Sequence, residues 1–149
     1  MSLLEAKKIL ERKKINIEIE KLKAQENKIQ KLQNKISLFI PEPGNYGSNA
    51  IKTYIESKIK SDLNLVVVIA DVCTTHELPK LTFYTGITKD LTQKGLKAKD
   101  LVNKIAEITG GRGGGRDDYA QAGGKDITKV EEALNLGRKL LAEFKLNHP

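Results

Sequence analysis

Two arginines, Arg112 and Arg116, stand in a run of glycines, GGRGGGRDDYAQAGG, at residues 110–124. A guanidinium is permanently charged and planar, so it holds a phosphate with two hydrogen bonds or stacks on a base. Glycine lets a backbone come within hydrogen-bonding range of a ligand, at a cost in chain entropy. Two readings of the run stand side by side. In one, backbone N–H groups in nest-like turns join the arginines around an anion. In the other, the glycines only meet the geometry of a tight connection. Two nucleotide motifs are excluded. A phosphate-binding P-loop needs Ser or Thr after its Gly-Lys pair, and Gly124-Lys125 is followed by Asp126. A dinucleotide fingerprint built on Gly111 and Gly113 needs glycine at 116, where Arg116 stands. The run also follows a helical pattern. It therefore lies at the negative end of that helix, which disfavours an anion by a few tenths to about 1 kcal/mol.

The remaining reactive residues are sparse. Cys73, His76 and Glu77 sit close together, but without the spacing of a zinc motif and without a second cysteine. They read as a loop thiol beside an exposed imidazole. His148 lies next to the last residue. Asp117-Asp118 invites a divalent ion, but the flanking arginines favour a local ion pair. No catalytic residue and no metal site is assigned.

The composition narrows the classes. The chain has 149 residues, a net charge of +7 and a pI near 9.4. A basic excess of that size suits a polyanion, with nucleic acid ahead of membrane. The single cysteine excludes an internal disulfide and fits a reducing compartment. There is no signal-peptide-like apolar region and no membrane-length apolar run, so the expected location is the cytoplasm.

The elements follow from the periodicity. Residues 4–35 hold no Gly or Pro. Ile15, Ile19, Leu22, Ile29, Leu32 and Ile36 recur at helical spacing, with an offset stripe of Leu3, Ala6, Leu10 and Ile17. The spacing predicts an amphipathic arm over 1–35, about 45 Å long if it runs some 30 residues. Residues 1–36 carry ten basic and five acidic side chains, a net +5 out of the chain's +7. That charge reads either as the solvated face of a coiled coil or as an RNA stripe. The globular part spans 36–149. Ile36–Ile40 reads as a strand, Ser48 as the cap of a helix carrying Ile51, Tyr54, Ile55 and Ile59, and Leu65–Ala70 as a central strand covered on both faces. Leu81–Ile87 alternates, like a strand more exposed on one side. A helix with Leu96, Leu101, Val102, Ile105 and Ile108 ends at Gly110, and the glycine run forms a loop, with Tyr119–Ala122 as a candidate short strand. Thr128 to Glu131 matches a capping box for a last helix carrying Val130, Ala133, Leu134, Leu140, Leu141 and Phe144. The expected fold is a compact α/β domain, a central sheet flanked by helices, behind a long helical arm.

The glycine run also resembles a family signature. Gly110-Gly111, Arg112, Gly113-Gly114-Gly115, Arg116, Asp118, Tyr119, Ala120-Gln121 and Gly123-Gly124 match the motif near the end of the C-terminal, DHHA1-type domain of alanyl-tRNA synthetase. Asp117 stands where proline is usual. The stretch from Thr85 to Asp90 resembles the segment before the family's next helix, and the long first helix resembles its helical part, so the likeness covers nearly the whole chain. The resemblance implies a tRNA-binding module, with tRNA(Ala) as partner, that can also mediate dimerisation; the uncovered stripe of the N-terminal helix is the expected seam of such a homodimer. It implies RNA contacts at Gly110, Gly111, Arg112, Gly113, Gly114, Gly115, Arg116 and Gln121, and at Lys97 and Lys99. The family's ATP, Mg²⁺ and zinc chemistry belongs to other domains, so no cofactor is expected here. Two alternatives remain. One is a dimerisation arm with little RNA affinity of its own. The other is the substrate-binding half of a DHH-type phosphoesterase, which the basic residues of the motif and the absence of a DHH partner disfavour.

Overall fold

The computed structural model describes residues 1–74 and 78–145. In chain order it contains α1 (Leu3–Lys23), β1 (Gln30–Lys31), β2 (Ser37–Phe39), α2 (Ser48–Ser61), β3 (Leu65–Cys73), β4 (Lys80–Ile87), α3 (Lys89–Thr92), α4 (Ala98–Ile108), β5 (Arg112–Gly115), β6 (Tyr119–Gly124) and α5 (Val130–Glu143). The six strands form one mixed sheet in the order β1-β2-β3-β4-β6-β5. Only β2 and β3 run parallel, with α2 as the crossover between them. This is the expected α/β architecture of a central sheet flanked by helices behind a long first helix.

The sheet is covered on both faces, and the two-residue period of β3 shows how. Leu65, Val67 and Ile69 point into a cluster with Leu22, Ile51, Tyr54 and Ile55 of α1 and α2. Val66, Val68 and Ala70 point the other way, into a cluster with Leu101, Val102, Ile105, Leu134 and Leu141 of α4 and α5. Every residue of β3 from Leu65 to Ala70 is buried, as its uninterrupted β-branched run requires.

Four features differ from the sequence reading. The first helix ends at Lys23, and the chain then turns and adds β1 to the sheet edge. Ile29, Leu32 and Ile36 keep helical spacing but are drawn into the globular core instead, Ile36 completely. Tertiary burial overrides local propensity here. Asn34 fixes the turn by donating from Nδ2 to the carbonyls of Leu141 (2.7 Å) and Phe144 (3.0 Å). β4 is not half-exposed: α2 lies on one face and α4 on the other, and Leu81 and Phe83 through Ile87 are buried. Gly86 permits this, because a Cβ there would lie 2.2 Å from Ile55 Cγ2. The glycine run is not a loop but a hairpin, β5 and β6, and the expected short strand at Tyr119 extends to Gly124. Finally, the caps differ. Gly47, not Ser48, precedes α2, and Asp126 rather than Thr128 caps the turn before α5, accepting from Thr128 N at 3.0 Å. The Thr128 hydroxyl at 2.6 Å and that amide hold the Asp126 carboxyl below its ordinary pKa. His76, Glu77 and His148 lie outside the described residues.

A four-residue clasp ties the end of α1 to α2. Tyr54 donates to Glu26 at 2.6 Å, and Lys58 reaches both Glu26 (3.5 Å) and Asp62 (3.0 Å). Burial, then the bond to Glu26, holds the Tyr54 hydroxyl protonated far above its ordinary range. Burial pushes Asp62 up, but Lys58 outweighs it and leaves the carboxyl below its usual value. Burial likewise pushes Lys58 down, but Asp62 and Glu26 leave it raised.

Two outcomes are expected. Gly86→Ala forces Ile55 off its position and lowers stability by about 1–3 kcal/mol, the usual cost of overpacking. A urea midpoint equal to the wild type would show that α2 can ride away from the sheet without loss. The clasp should also give stability an upper and a lower pH limit. Asp62, depressed in the fold, stabilises above the ordinary carboxylate range and is lost as pH falls through its folded pKa. Tyr54 and Lys58, raised in the fold, stabilise below their ordinary values and are lost as pH rises beyond about 10. Thermal midpoints measured against pH for the wild type and Tyr54→Phe should converge at alkaline pH. Parallel curves across the range would remove the clasp from the account.

Candidate nucleic-acid interface

The hairpin begins where α4 stops. Gly110 takes a left-handed conformation, φ 80°, which glycine adopts at little cost. Gly110 N donates to Glu107 O at 3.0 Å and Gly111 N to Ala106 O at 2.9 Å, so two of the last carbonyls of the helix are satisfied. β5 leaves this capped end as an ordered edge strand.

Register assigns the faces, since residues opposite each other in an antiparallel pair project to the same side. Arg112 pairs with Gly123 and Gly114 with Gln121. Gln121 in turn faces Tyr84, and Gly123 faces Thr82. These residues share one side of the sheet. Gly113, Gly115, Ala120 and Ala122 share the other, against α4.

The glycines then fall into two kinds. A Cβ at Gly111, Gly113 or Gly115 would meet β6 backbone atoms at 1.7–2.6 Å, and at Gly124 it would strike Leu81 and Thr109 at 2.5 Å. The fold requires glycine there. At Gly114 and Gly123 a Cβ would meet nothing within 4 Å. Packing gives no reason for their lack of a side chain. By register they are diagonal neighbours and leave a bare strip of sheet, flanked by exposed Arg112 opposite Gly123 and exposed Gln121 opposite Gly114. Arg112 has no ion pair among the described residues.

Arg116 sits differently. It lies in the hairpin turn, its Nε 3.2 Å from Asp118 and its guanidinium 6.0 Å from the centre of the Tyr119 ring. The acidic pair thus supplies a local ion pair, and among the described residues no group of three or more His, Cys, Asp or Glu could hold a metal. Burial, then Tyr84 and Glu56, push the Tyr119 hydroxyl up to about 12, so the ring under Arg116 is neutral at ordinary pH. Lys60 and Lys89 line a cleft of about 460 Å³ beside Arg116 and Asp118.

The structure does not bring all the sequence candidates onto one surface. Lys97 and Lys99 are exposed at the start of α4, in the layer behind the hairpin. Lys97 lines a separate cleft of about 390 Å³ with Asp100, Lys104 and Phe144. Both lysines stay near the hairpin because Ala98 N donates to Asp117 O at 2.8 Å. The periodicity gave no hint of Thr82, Tyr84 or Asn103, whose Oδ1 accepts from Gly113 N at 2.8 Å. Only strand register and side-chain placement reveal them.

The DHHA1 domain family matches residues 6–143. The alanine–tRNA ligase of Fusobacterium nucleatum is 39% identical over 141 residues, which covers 86% of this chain and 16% of the ligase. The Bacillus subtilis alanine–tRNA ligase is 43% identical over 86 residues, 58% of this chain and 9% of that enzyme. The chain thus spans about a sixth or less of the curated relatives it matches. Among solved structures, the C-Ala domain of Aquifex aeolicus alanyl-tRNA synthetase aligns with a TM-score of 0.63 and 26% identity, over 72% of this chain and 92% of that domain. A DHH-domain member of the s1p family of ribosomal proteins aligns with a TM-score of 0.55 at 15% identity, over 87% of this chain and 31% of its own, which shows shared fold alone. The chain belongs to the DHHA1 domain family, the family of the C-terminal domain of alanyl-tRNA synthetase.

Proposed function

We propose that this chain is the tRNA-binding module of an alanyl-tRNA synthetase and acts in the cytoplasm. The observation that carries the reading is the strip at Gly114 and Gly123, bare for no packing reason and flanked by Arg112 and Gln121. A flat backbone surface accepts the face of an unstacked base or a tertiary base pair, as RNA loops present. A guanidinium without an ion pair at its end accepts phosphate. The joining of alanine to tRNA with ATP belongs, on this reading, to other domains of such an enzyme. A mobility-shift series with tRNA(Ala), a second tRNA and duplex DNA tests it. Retardation of tRNA but not of duplex at equal salt is the expected result. Equal retardation of all three would reduce the binding to net charge.

The strip allows a sharper test. Gly123→Val places a β-branched side chain into open space on a strand, so the fold is kept and the contact surface is blocked. Affinity for tRNA should fall at least tenfold, about 1.4 kcal/mol, with the thermal midpoint unchanged or raised. Arg112→Ala should weaken binding and reduce the salt slope of log K by about 0.7 if the contact is to loop RNA, or about 0.9 if it is duplex-like. Unchanged affinity in both variants, with folding intact, would move the RNA site elsewhere.

A second reading, self-association through α1, is favoured by one observation. Leu3, Leu10 and Ile17, spaced by seven residues, are 75%, 65% and 57% exposed. That spacing gives a seam on one side of a helix for a second copy. Sedimentation of Leu10→Ser with Ile17→Ser should give a monomer at concentrations where the wild type forms dimers. A wild type that stays monomeric at high concentration would end this reading.

A further inference from the structure

We propose that Asn103 is a positioning residue that holds the glycine strand flat, and so presets the RNA-contacting face without touching RNA. The proposal rests on the tRNA-binding reading above. Three consecutive glycines at a sheet edge are a poor strand: each loses more backbone freedom on ordering than any other residue. An edge strand also has ladder partners on one side only. In the β5–β6 pair, Arg116 N donates to Tyr119 O at 2.8 Å, so alternation turns Arg112 and Gly114 inward and Gly113 and Gly115 outward. The outward amide of Gly113 would face solvent. Instead it donates to Asn103 Oδ1 at 2.8 Å, from a residue ten positions earlier on α4.

Asn103 is itself held for this task. Its Nδ2 donates to Lys99 O at 3.0 Å, one turn back on the same helix, which fixes the amide plane and aims Oδ1 at β5. α4 then grips the hairpin again at its turn, where Ala98 N donates to Asp117 O at 2.8 Å. Two bonds from one helix thus restrain a segment whose glycines supply no side-chain contacts of their own. Arg112 precedes Gly113 directly, so the bond also sets where that guanidinium starts. A surface ordered before contact loses less entropy on binding, and the gain appears as affinity. The side chain lies on the α4 side of the hairpin, behind the bare strip, so it acts through β5.

The test uses the full chain and separates ordering from contact. Asn103→Ala places the best helix former in α4, so folding is retained. Amide exchange of Gly113 should accelerate at least tenfold, while β3 and β4 amides and the thermal midpoint stay as in the wild type. Affinity for tRNA(Ala) should fall about three- to tenfold, the range one net hydrogen bond carries. The salt slope should not change, because no phosphate contact is lost; Arg112→Ala is the contrast, since it lowers the slope. Asn103→Asp keeps an acceptor oxygen and should restore the protection of Gly113. Wild-type exchange at Gly113 in Asn103→Ala would overturn the proposal. A reduced salt slope in that variant would overturn it too, by making Asn103 a direct contact. A wild type with no tRNA affinity would refute the functional reading instead, and the exchange rates would still decide whether Asn103 orders the strand.

Discussion

Backbone-to-backbone approach of β5 to β6 above α4 is the constraint on which the glycine hairpin depends. Gly111, Gly113 and Gly115 have no room for even a methyl group against β6. On the α4 side of β6 stand only Ala120 and Ala122, both buried. The helix can therefore ride close under the hairpin, close enough for Asn103 to reach the edge strand. Larger residues in any of these places would lift the layers apart. The sixth strand would be lost, and with it the surface that carries Arg112. Small size serves packing on one face of the hairpin and leaves the other face bare.

The opposite side of the sheet is built by bulk. Phe39, Tyr54, Ile51 and Ile55 fill the space under α1 and α2, and Phe39 and Tyr54 meet at 6.0 Å with tilted rings. Each fully buried side chain of this size contributes about 1.5–3 kcal/mol. Gly86 is the exception that lets Ile55 sit directly on β4. The arm is attached over its last turns, through Leu22, Ile19, the clasp at Glu26 and the bonds of Gln25 to Tyr46 and Glu42. Upstream of these, α1 rests on intrinsic propensity and the Ser2 cap. A helix segment held by propensity and one cap is marginal in water, so the first turns of the arm are less firmly held than its last turns.

Much of this was legible in the sequence. The β3 run announced a strand buried on both sides, and Gly110 announced the end of α4, because both signals are local. The helix end at Lys23 was not legible: Ile29, Leu32 and Ile36 keep helical spacing, and only the core that captures them reveals the turn. The hairpin was hidden for the same reason. Glycine has low strand propensity, so a run of it reads as loop until a neighbouring strand and helix order it. The glycine motif marked a candidate site, but not which glycines serve the fold and which face outward. That division depends on distances across β6 that no spacing encodes.

Charge and surface serve different ends here. Ten basic residues on the first 36 positions, against five acidic ones, carry a net +5 of the chain's +7, and all ten are exposed. At physiological salt such charges are screened beyond about 8 Å, so they raise the rate of encounter with a polyanion but do not choose among polyanions. The hairpin carries few charges: Arg112 lacks an ion pair, while Arg116 is partly neutralised by Asp118. Asp117 and Asp118 flank the turn and would repel a phosphate that approached from that end. A backbone running along the whole hairpin therefore meets attraction at Arg112 and opposition at the turn. A partner that sets a flat, uncharged face on Gly114 and Gly123, with one phosphate at Arg112, meets no opposition. On the proposed tRNA-binding reading, the electrostatics of the hairpin thus favour a structured corner of RNA over an extended strand, and they do so with a surface that carries few side chains.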